Sequence, residues 1–233
     1  SKMTQIIYPI WRQRLARSLH INRSQMHSKY YQVASVDPSA RPKNRTMVFR
    51  GFLQGTQNLL SVTDLRSEKI LEWQGDGKLH FEICWYFTGS REQYRVAGEV
   101  ALISNSVKSS YQEFGEQTKT SLIKQQWSNL SDKAREPFYS SSPKAPFDDS
   151  SALPSPQDKP VTSVNDTNEV DSNSNAASNI TNSVVSNNVD ISDNFCVIVF
   201  TPHTVDYLDL KSKPQQRCLY DIQDGWKERM VNP

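Results

Sequence analysis

The chain has 233 residues, of which 36% are hydrophobic and 22% charged, and its formal net charge is only +2. This balance lacks the polybasic footprint of a dedicated nucleic-acid binder, and no apolar run approaches the roughly 18 residues of a membrane-spanning helix. We therefore expect neither nucleic acid nor a membrane as partner. The first residues lack the long apolar stretch of a secretory signal, and Cys84, Cys196 and Cys218 have no paired spacing. Both features favour a cytoplasmic protein.

The first third of the chain is predicted to form one helix and three strands. Trp11, Leu15 and Leu19 recur every four residues, which predicts a helix over residues 4–21. The predicted strands follow at residues 30–36, 45–52 and 59–63. A proline-rich turn at 37–42 joins the first two strands. In the second strand Arg45 and Arg50 face opposite sides, because side chains alternate along a strand.

The remaining elements continue the β-rich pattern. A short helix is predicted over residues 64–73, with Asp64 as its N-cap. Two strands, at 79–87 and 93–103, precede a helical region at 106–139, and strands return between 194 and 231. There C-L-Y-D-I is expected to pair with W-K-E-R-M-V across residues 223–225. The order of elements suits a mainly β fold, a closed antiparallel barrel with helical additions, and not an alternating βαβ sheet.

The composition changes sharply between residues 141 and 192, where Ser, Asn, Asp and Pro dominate. Such a segment buries too little apolar surface to offset the entropy of ordering it. We predict a disordered insertion at 141–192, with residues 1–140 and 193–233 forming a single domain. The insertion serves either as an interaction segment or as a passive expansion.

Common catalytic and metal-binding patterns are absent from the sequence. It contains no G-x-S-x-G, no P-loop and no G-x-G-x-x-G. His20, His27, His80 and His203 have no metal-ligand spacing to one another or to a cysteine, so we expect no metal site. No residue can be assigned a catalytic role from the sequence.

The most informative polar residues are cations on a short strand and at a helix start. Arg66, Ser67 and Lys69 lie at the beginning of the helix that follows Thr63, and Arg45 lies on the second predicted strand. Helix N-termini offer free N–H groups, and added cations supply charge-assisted contacts to a phosphate. These residues indicate a phosphate site or, alternatively, a solvated charged face.

Four blocks of sequence resemble a known family. N-R-T-M-V-F-R-G-F at 44–52 and V-T-D-L-R-S-E-K at 62–69 are similar to the flavin-binding core of pyridoxamine 5'-phosphate oxidases. The paired-strand block that contains Gln93 and the closing block Q-Q-R-C-L-Y-D-I-Q-D-G-W-K-E-R-M-V-N-P resemble the same family, in its divergent FMN-binding branch. The resemblance implies an FMN-binding split β-barrel and a homodimer with two flavins at its interface.

The resemblance also implies roles for individual residues. Arg45 and Lys69 would hold the FMN phosphate, with Ser67 and Arg66 nearby. The cofactor-binding strand would comprise Thr46, Met47, Val48, Phe49 and Arg50, the last four beside the isoalloxazine ring. Val62 and Thr63 would border the ribityl chain, and Gln93 would hydrogen-bond to the flavin. Tyr207 and Arg217 would reach over from the partner chain.

The sequence departs from the family pattern mainly on the substrate side. Glu68 replaces the arginine of an Arg-Lys pair, Arg50 replaces a strand lysine, and Lys213-Pro214-Gln215 replaces an R-x-H pair. The leading expectation is an FMN-dependent oxidoreductase that acts on an unknown small molecule. The alternatives are a non-catalytic flavin storage or sensing protein, and an interaction protein that keeps the barrel as a scaffold.

Overall fold

A computed structural model describes residues 7–74, 79–108, 111, 116–146 and 190–233. The chain divides into two units, the first comprising residues 1–143 and 191–233 and the second residues 144–190. Nearly all of the second unit lies outside the described residues. The insertion expected at 141–192 therefore stays a prediction, as do the domain boundaries drawn from it.

Four α-helices occur in the described part of the chain. They are α1 (Ile10–Ile21), α2 (Glu68–Gln74), α3 (Glu116–Ser128) and α4 (Asp132–Arg135). Helix α1 begins later than the predicted residue 4, because Pro9 has an extended backbone and disfavours a helical conformation at Tyr8. None of the helices in the described residues has the length and apolar character that crossing a membrane requires.

The strands form a mostly antiparallel sheet. They are β1 (Tyr30–Val36), β2 (Pro42–Val48), β3 (Leu59–Asp64), β4 (His80–Phe87), β5 (Glu92–Ile103), β6 (Phe195–Asp209), β7 (Gln216–Asp221) and β8 (Arg229–Val231). The order across the sheet is β2-β1-β4-β5-β6-β7-β8, and β3 pairs with the first half of β6. The predicted mainly β fold with helical additions is confirmed. The expected C-terminal pairing is also present, with Arg217 opposite Val231.

The expected closure of the barrel is wrong. Beyond the end of β2, the Arg50 N–H donates to the Leu60 carbonyl and the Leu60 N–H to the Gly51 carbonyl, both at 2.8 Å. These bonds join β3 to the chain after β2, but the ladder goes no further than a bridge between Phe52 and Leu59. Gly51 has φ +111°, which takes the chain out of an extended conformation and interrupts the pairing. The sheet is therefore open, a split barrel.

Two apolar clusters lie on opposite faces of β6. Cys196, Ile198 and Phe200 belong to the larger cluster, which the aromatic residues of β1, β4 and α1 complete. Phe195 and Val197 belong to the smaller cluster, which packs against α3 and the turn after α4. A strand buried on both faces explains the continuous apolar run F-C-V-I-V-F.

Two boundaries near the candidate site differ from prediction. Strand β2 covers Pro42–Val48 instead of 45–52, because Pro42 is accommodated at the sheet edge. Asp64 ends β3 and does not cap α2, which begins four residues later at Glu68. Its carboxylate instead accepts the Arg66 N–H at 2.8 Å and so orders the loop between strand and helix.

Candidate functional site

The structure brings four of the predicted phosphate-site and ribityl-site residues together. We call Arg45, Thr63, Ser67 and Lys69 the Arg45–Lys69 cluster. The Lys69 ammonium donates to the hydroxyls of Thr63 and Ser67, at 3.0 and 3.1 Å. Thr63 lies near the end of β3 and Ser67 directly precedes α2. The turn at residues 65–67 thus folds the helix start back over the strand end.

Burial and a neighbouring cation both act on Lys69. Desolvation lowers the pKa of the Lys69 ammonium, and the positive charge of Arg45 lowers it further. The carboxylates of Glu72 and Asp64 act in the opposite direction, but they do not reverse the shift. Two cations close to each other in a partly desolvated site favour the binding of an anion, because an anion would relieve both effects.

Arg45 has a fixed position in the cluster. Its Nη1 donates to the Ser35 hydroxyl at 2.5 Å and to the Val33 carbonyl at 3.2 Å. Its Nη2 forms an ion pair with Glu72 Oε2 at 2.7 Å. Glu72 comes from the buried face of α2, so the helix orients the guanidinium as well as supplying Lys69.

Arg66 lies next to this cluster but is bound elsewhere. Its guanidinium contacts both carboxylate oxygens of Asp64, at 2.9 and 2.6 Å. It also donates to the carbonyls of Pro137 and Ser140, at 3.1 and 2.7 Å. The Asp64 hydrogen bond raises the pKa of Arg66. In this arrangement Arg66 fastens the turn after α4 to the loop before α2.

The residues that the resemblance places beside the isoalloxazine ring and the ribityl chain divide between the two faces of the sheet. Met47 is buried in the larger cluster, where the Phe49 ring also packs, 5.2 Å from Phe52 and 5.0 Å from Trp85 between centroids. The Val48 carbonyl accepts from the Ser61 hydroxyl at 2.7 Å. Thr46 is exposed. On β3, Val62 packs against the smaller cluster.

A cavity beside Arg50 was not predicted. It measures about 590 Å³ and lies between α3 and the segment that follows β2. Arg50 lines it together with a row of α3 residues, Thr118, Ser121, Leu122, Gln125, Gln126 and Asn129. Their spacing of three and four residues places them on one helix face. The polar row is visible in the sequence, but its position opposite Arg50 is a tertiary contact that the sequence does not show.

The remaining predicted residues lie on β5, β6 and β7. Gln93 is opposite Leu208, which in turn is opposite Arg217, so all three share a face of the sheet. Arg217 makes a two-point contact with Asp206, at 2.9 and 2.6 Å. Tyr207 faces the other side, in the larger apolar cluster, and its hydroxyl donates to Glu92 at 2.6 Å. On the sheet ladder β1 and β4 separate this group from β2.

Comparison with known proteins relates this geometry to a family. A family model described as "Pyridoxamine 5'-phosphate oxidase, FMN-binding domain" matches residues 8–104, a range that contains the whole Arg45–Lys69 cluster and Gln93. Pyridoxine/pyridoxamine 5'-phosphate oxidase 2 of Arabidopsis thaliana is 28% identical over 96% of both chains.

Solved structures give the same result. A pyridoxamine 5'-phosphate oxidase-related, FMN binding protein of Nostoc punctiforme is 33% identical, with a TM-score of 0.72 over 98% of this chain and 100% of that one. PhzG of Burkholderia lata, in complex with tetrahydrophenazine-1-carboxylic acid, is 15% identical, with a TM-score of 0.59 over 95% of this chain and 90% of that one. The second likeness supports the fold alone.

Proposed function

The chain belongs to the pyridoxamine 5'-phosphate oxidase-related family of FMN-binding proteins, and from this premise we propose that it binds FMN and acts as an FMN-dependent oxidoreductase. The observation that carries the proposal is the Arg45–Lys69 cluster. Its two cations lie close enough for Arg45 to lower the pKa of Lys69, and both side chains are partly buried. A phosphate monoester dianion is the kind of group that such a pair stabilises.

The donors of the cluster fit an FMN phosphate. Arg45 and Lys69 supply charge, while the hydroxyls of Thr63 and Ser67 supply short hydrogen bonds to oxygen. If the contact of either Arg45 or Lys69 with the phosphate is removed, FMN binding should weaken by about 1.5–3 kcal/mol, or roughly ten- to a hundredfold.

The same strand segment connects the cluster to the cavity. Arg50 follows Arg45 by five residues, and an extended chain rises about 3.3 Å per residue, so roughly 16 Å separate them. We propose that the flavin ring lies along this segment, towards Arg50. When bound, FMN would supply hydride transfer, while the protein binds, orients and tunes it. A guanidinium close to the ring would favour an anionic reduced flavin.

A titration of purified protein with FMN tests the cofactor site. The protein should bind about one FMN per chain and become yellow, and Arg45→Ala and Lys69→Ala should each weaken binding at least tenfold. Lys43→Ala removes a cation two residues from Arg45 that pairs with Asp37, and His203→Ala alters a distant residue on β6, so both should leave binding unchanged. Equal losses in all four variants would contradict the assignment.

Reduction of the bound flavin tests the oxidoreductase role. Pyridoxamine 5'-phosphate is the first substrate to try, because the Arabidopsis relative is named for it. Anaerobic bleaching of the flavin by this or another organic donor, followed by reoxidation, would support an enzyme. A bound flavin that no organic donor and no nicotinamide nucleotide reduces would favour the storage or sensing alternative.

We further propose that the protein is a homodimer in which a second chain brings Gln93 and Arg217 to the flavin. Both lie on one face of the sheet, and along the strand order two strands separate Gln93 from β2 and four separate Arg217 from it. Light scattering should then give twice the mass of one chain. When Lys69→Ala chains are mixed with Arg217→Ala chains, about half of the dimers should contain one chain of each kind. Each mixed dimer should have one FMN site with both wild-type residues. A monomeric protein would regain no site on mixing.

The cytoplasm is the compartment that we propose. Cys84, Cys196 and Cys218 are all free thiols, and two of them are buried. Free buried thiols are typical of proteins in reducing compartments. Fractionation of cells that express the tagged full chain should recover it with cytosolic markers, and recovery with membranes or secreted protein would overturn the proposal.

A further inference from the structure

The cavity beside Arg50 has the size and lining of a small-molecule site. Its volume of about 590 Å³ lies within the range of roughly 300–1,000 Å³ that is usual for ligand pockets. Phe52, Leu53, Leu60 and Leu122 supply apolar walls. The remaining lining side chains carry hydrogen-bonding groups. Such a lining suits a compact organic molecule with an apolar body and a few polar substituents.

The α3 side of the cavity is polar but uncharged. Thr118, Ser121, Gln125, Gln126 and Asn129 offer hydroxyl and amide groups, and Gln54 adds another amide from the opposite wall. Amides both donate and accept hydrogen bonds, so they suit neutral substituents of either kind. They do not balance the charge of an anion as a second arginine or lysine would.

Arg50 is the one charged side chain that lines the cavity in the described part of the chain. Its backbone N–H is fixed on the Leu60 carbonyl. Its Nε is buried and has no hydrogen-bond partner. Leaving a buried donor unpaired is unfavourable, so a ligand that reaches Nε after a rotation of the Arg50 side chain gains binding energy. The Nε and Nη groups of a guanidinium form a planar fork that matches the two oxygens of a carboxylate.

The contrast with the Arg45–Lys69 cluster indicates the charge of the ligand. That cluster offers two cations and two hydroxyls, with one carboxylate, that of Glu72, paired with Arg45. The cavity offers one cation among amides. A phosphate dianion placed there would keep about one negative charge that no side chain of the cavity balances. A carboxylate matches the single charge.

We propose that this cavity binds a monoanionic carboxylate with an apolar body, and not a phosphate ester. As the substrate class of the flavin site, this proposal rests on the proposed function. The carboxylate pairs with the fork of Arg50, and the neutral substituents bind to the amides of α3.

Calorimetric titration with benzoate, benzamide and phenyl phosphate at pH 8 tests the proposal, on FMN-loaded and on FMN-free protein. Benzoate should bind at least tenfold more tightly than the other two probes. Arg50→Gln should remove this preference. Gln125→Arg adds a second cation to the α3 face and should shift the preference towards phenyl phosphate, while Lys124→Gln, which alters an exposed α3 residue outside the cavity, should change nothing.

The proposal is overturned if phenyl phosphate binds more tightly than benzoate to the wild-type protein, or if benzoate binding is unchanged in Arg50→Gln. Failure of all three probes to bind would also overturn it. The proposed function fails separately, if FMN does not bind. Benzoate binding that depends on Arg50 in FMN-free protein would keep the carboxylate site and overturn only its link to the flavin.

Discussion

Arg45 and Glu72 form an ion pair of 2.7 Å in which the glutamate side chain is only 6% exposed. The Ser35 hydroxyl donates to the same carboxylate oxygen, so three residues from β1, β2 and α2 meet at one point. The pair holds the guanidinium in place, and the carboxylate offsets part of its positive charge. Arg66 is likewise paired with Asp64, whereas Lys69 contacts the hydroxyls of Thr63 and Ser67.

Glu72→Gln should strengthen FMN binding. The amide oxygen can still accept from Arg45, while the negative charge beside the phosphate is removed. We expect the Kd of FMN to fall by about three- to tenfold, or roughly 0.7–1.4 kcal/mol, in a fluorescence-quenching titration at low ionic strength. Glu82→Gln removes the β4 carboxylate that pairs with Arg95 of β5 and is the matched control. Weaker binding in Glu72→Gln would show that the charge of Glu72 is needed for positioning Arg45.

FMN affinity should fall as the pH rises above neutrality. Burial and Arg45 lower the pKa of Lys69, so in the free protein its ammonium loses its proton at a lower pH than an exposed lysine does. We expect FMN to bind the protonated form, so the Kd in the wild-type protein should increase as the pH rises from neutrality towards the pKa of an ordinary lysine, about 10.4. Lys69→Arg stays charged throughout and should show a flat profile. Parallel profiles in the two proteins would exclude Lys69 as the titrating group.

The lowered pKa of Lys69 also determines how this residue changes the free energy of unfolding with pH. The unfolded chain retains the Lys69 proton to a higher pH than the folded chain, so the unfolded state binds more protons in the interval between the two pKa values. The contribution of Lys69 is therefore destabilising at neutral pH. The destabilisation decreases as the pH rises from the lowered pKa towards that of an ordinary lysine.

The hydrophobic pattern of the sequence predicted the strands. It did not predict that β6 runs as one strand from Phe195 to Asp209. The apolar run at its start and the alternation at its end both indicated strands, but Pro202 between them argues against a central strand. The structure accommodates Pro202 opposite Gly98, where the β5–β6 register shifts. A bulge of this kind depends on the partner strand, which the sequence of β6 does not contain.

The candidate site was predictable in its cations and not in their partners. The cations alone left a phosphate site and a solvated face open, and the family resemblance assigned Arg45 and Lys69 to the phosphate. The fold places the two residues close enough for Arg45 to lower the pKa of Lys69. The pairing of Arg45 with Glu72 depends on how α2 packs on β1, a tertiary contact with no local signature. The polar face of α3 was visible in the sequence, but its position opposite Arg50 was not.

Gly98→Ala should strongly destabilise the protein. A Cβ at this position would lie 1.9 Å from the Thr201 carbonyl oxygen and 2.9 Å from the His203 nitrogen, both backbone atoms of β6. Neither strand can move away without breaking the hydrogen bonds between them. We therefore expect the free energy of unfolding to fall by about 3 kcal/mol or more, the upper end of the range for overpacked substitutions. Urea unfolding of the FMN-free protein measures it.

Gly89→Ala is the comparison for this experiment. Its Cβ would meet the end of the Asn22 side chain at 2.6 Å, and a side chain can rotate where backbone cannot. The destabilisation should therefore be clearly smaller than in Gly98→Ala. Equal midpoints for Gly98→Ala and the wild-type protein would mean that β5 and β6 do not approach as closely as described.

Arg66→Gln separates an architectural role from cofactor binding. The guanidinium donates to Asp64 and to the carbonyls of Pro137 and Ser140. It can contact a phosphate only if the turn after α4 is released. We expect the free energy of unfolding to fall by about 1–2 kcal/mol, because the Asp64 carboxylate and two carbonyls lose a charged donor. The Kd of FMN should change by less than about threefold. Urea unfolding and FMN titration of the same preparation measure both, with Lys69→Ala as the reference for a cofactor-site cation. If Arg66→Gln instead loses as much FMN affinity as Lys69→Ala while its unfolding midpoint is unchanged, then Arg66 exchanges Asp64 for the phosphate when the cofactor binds.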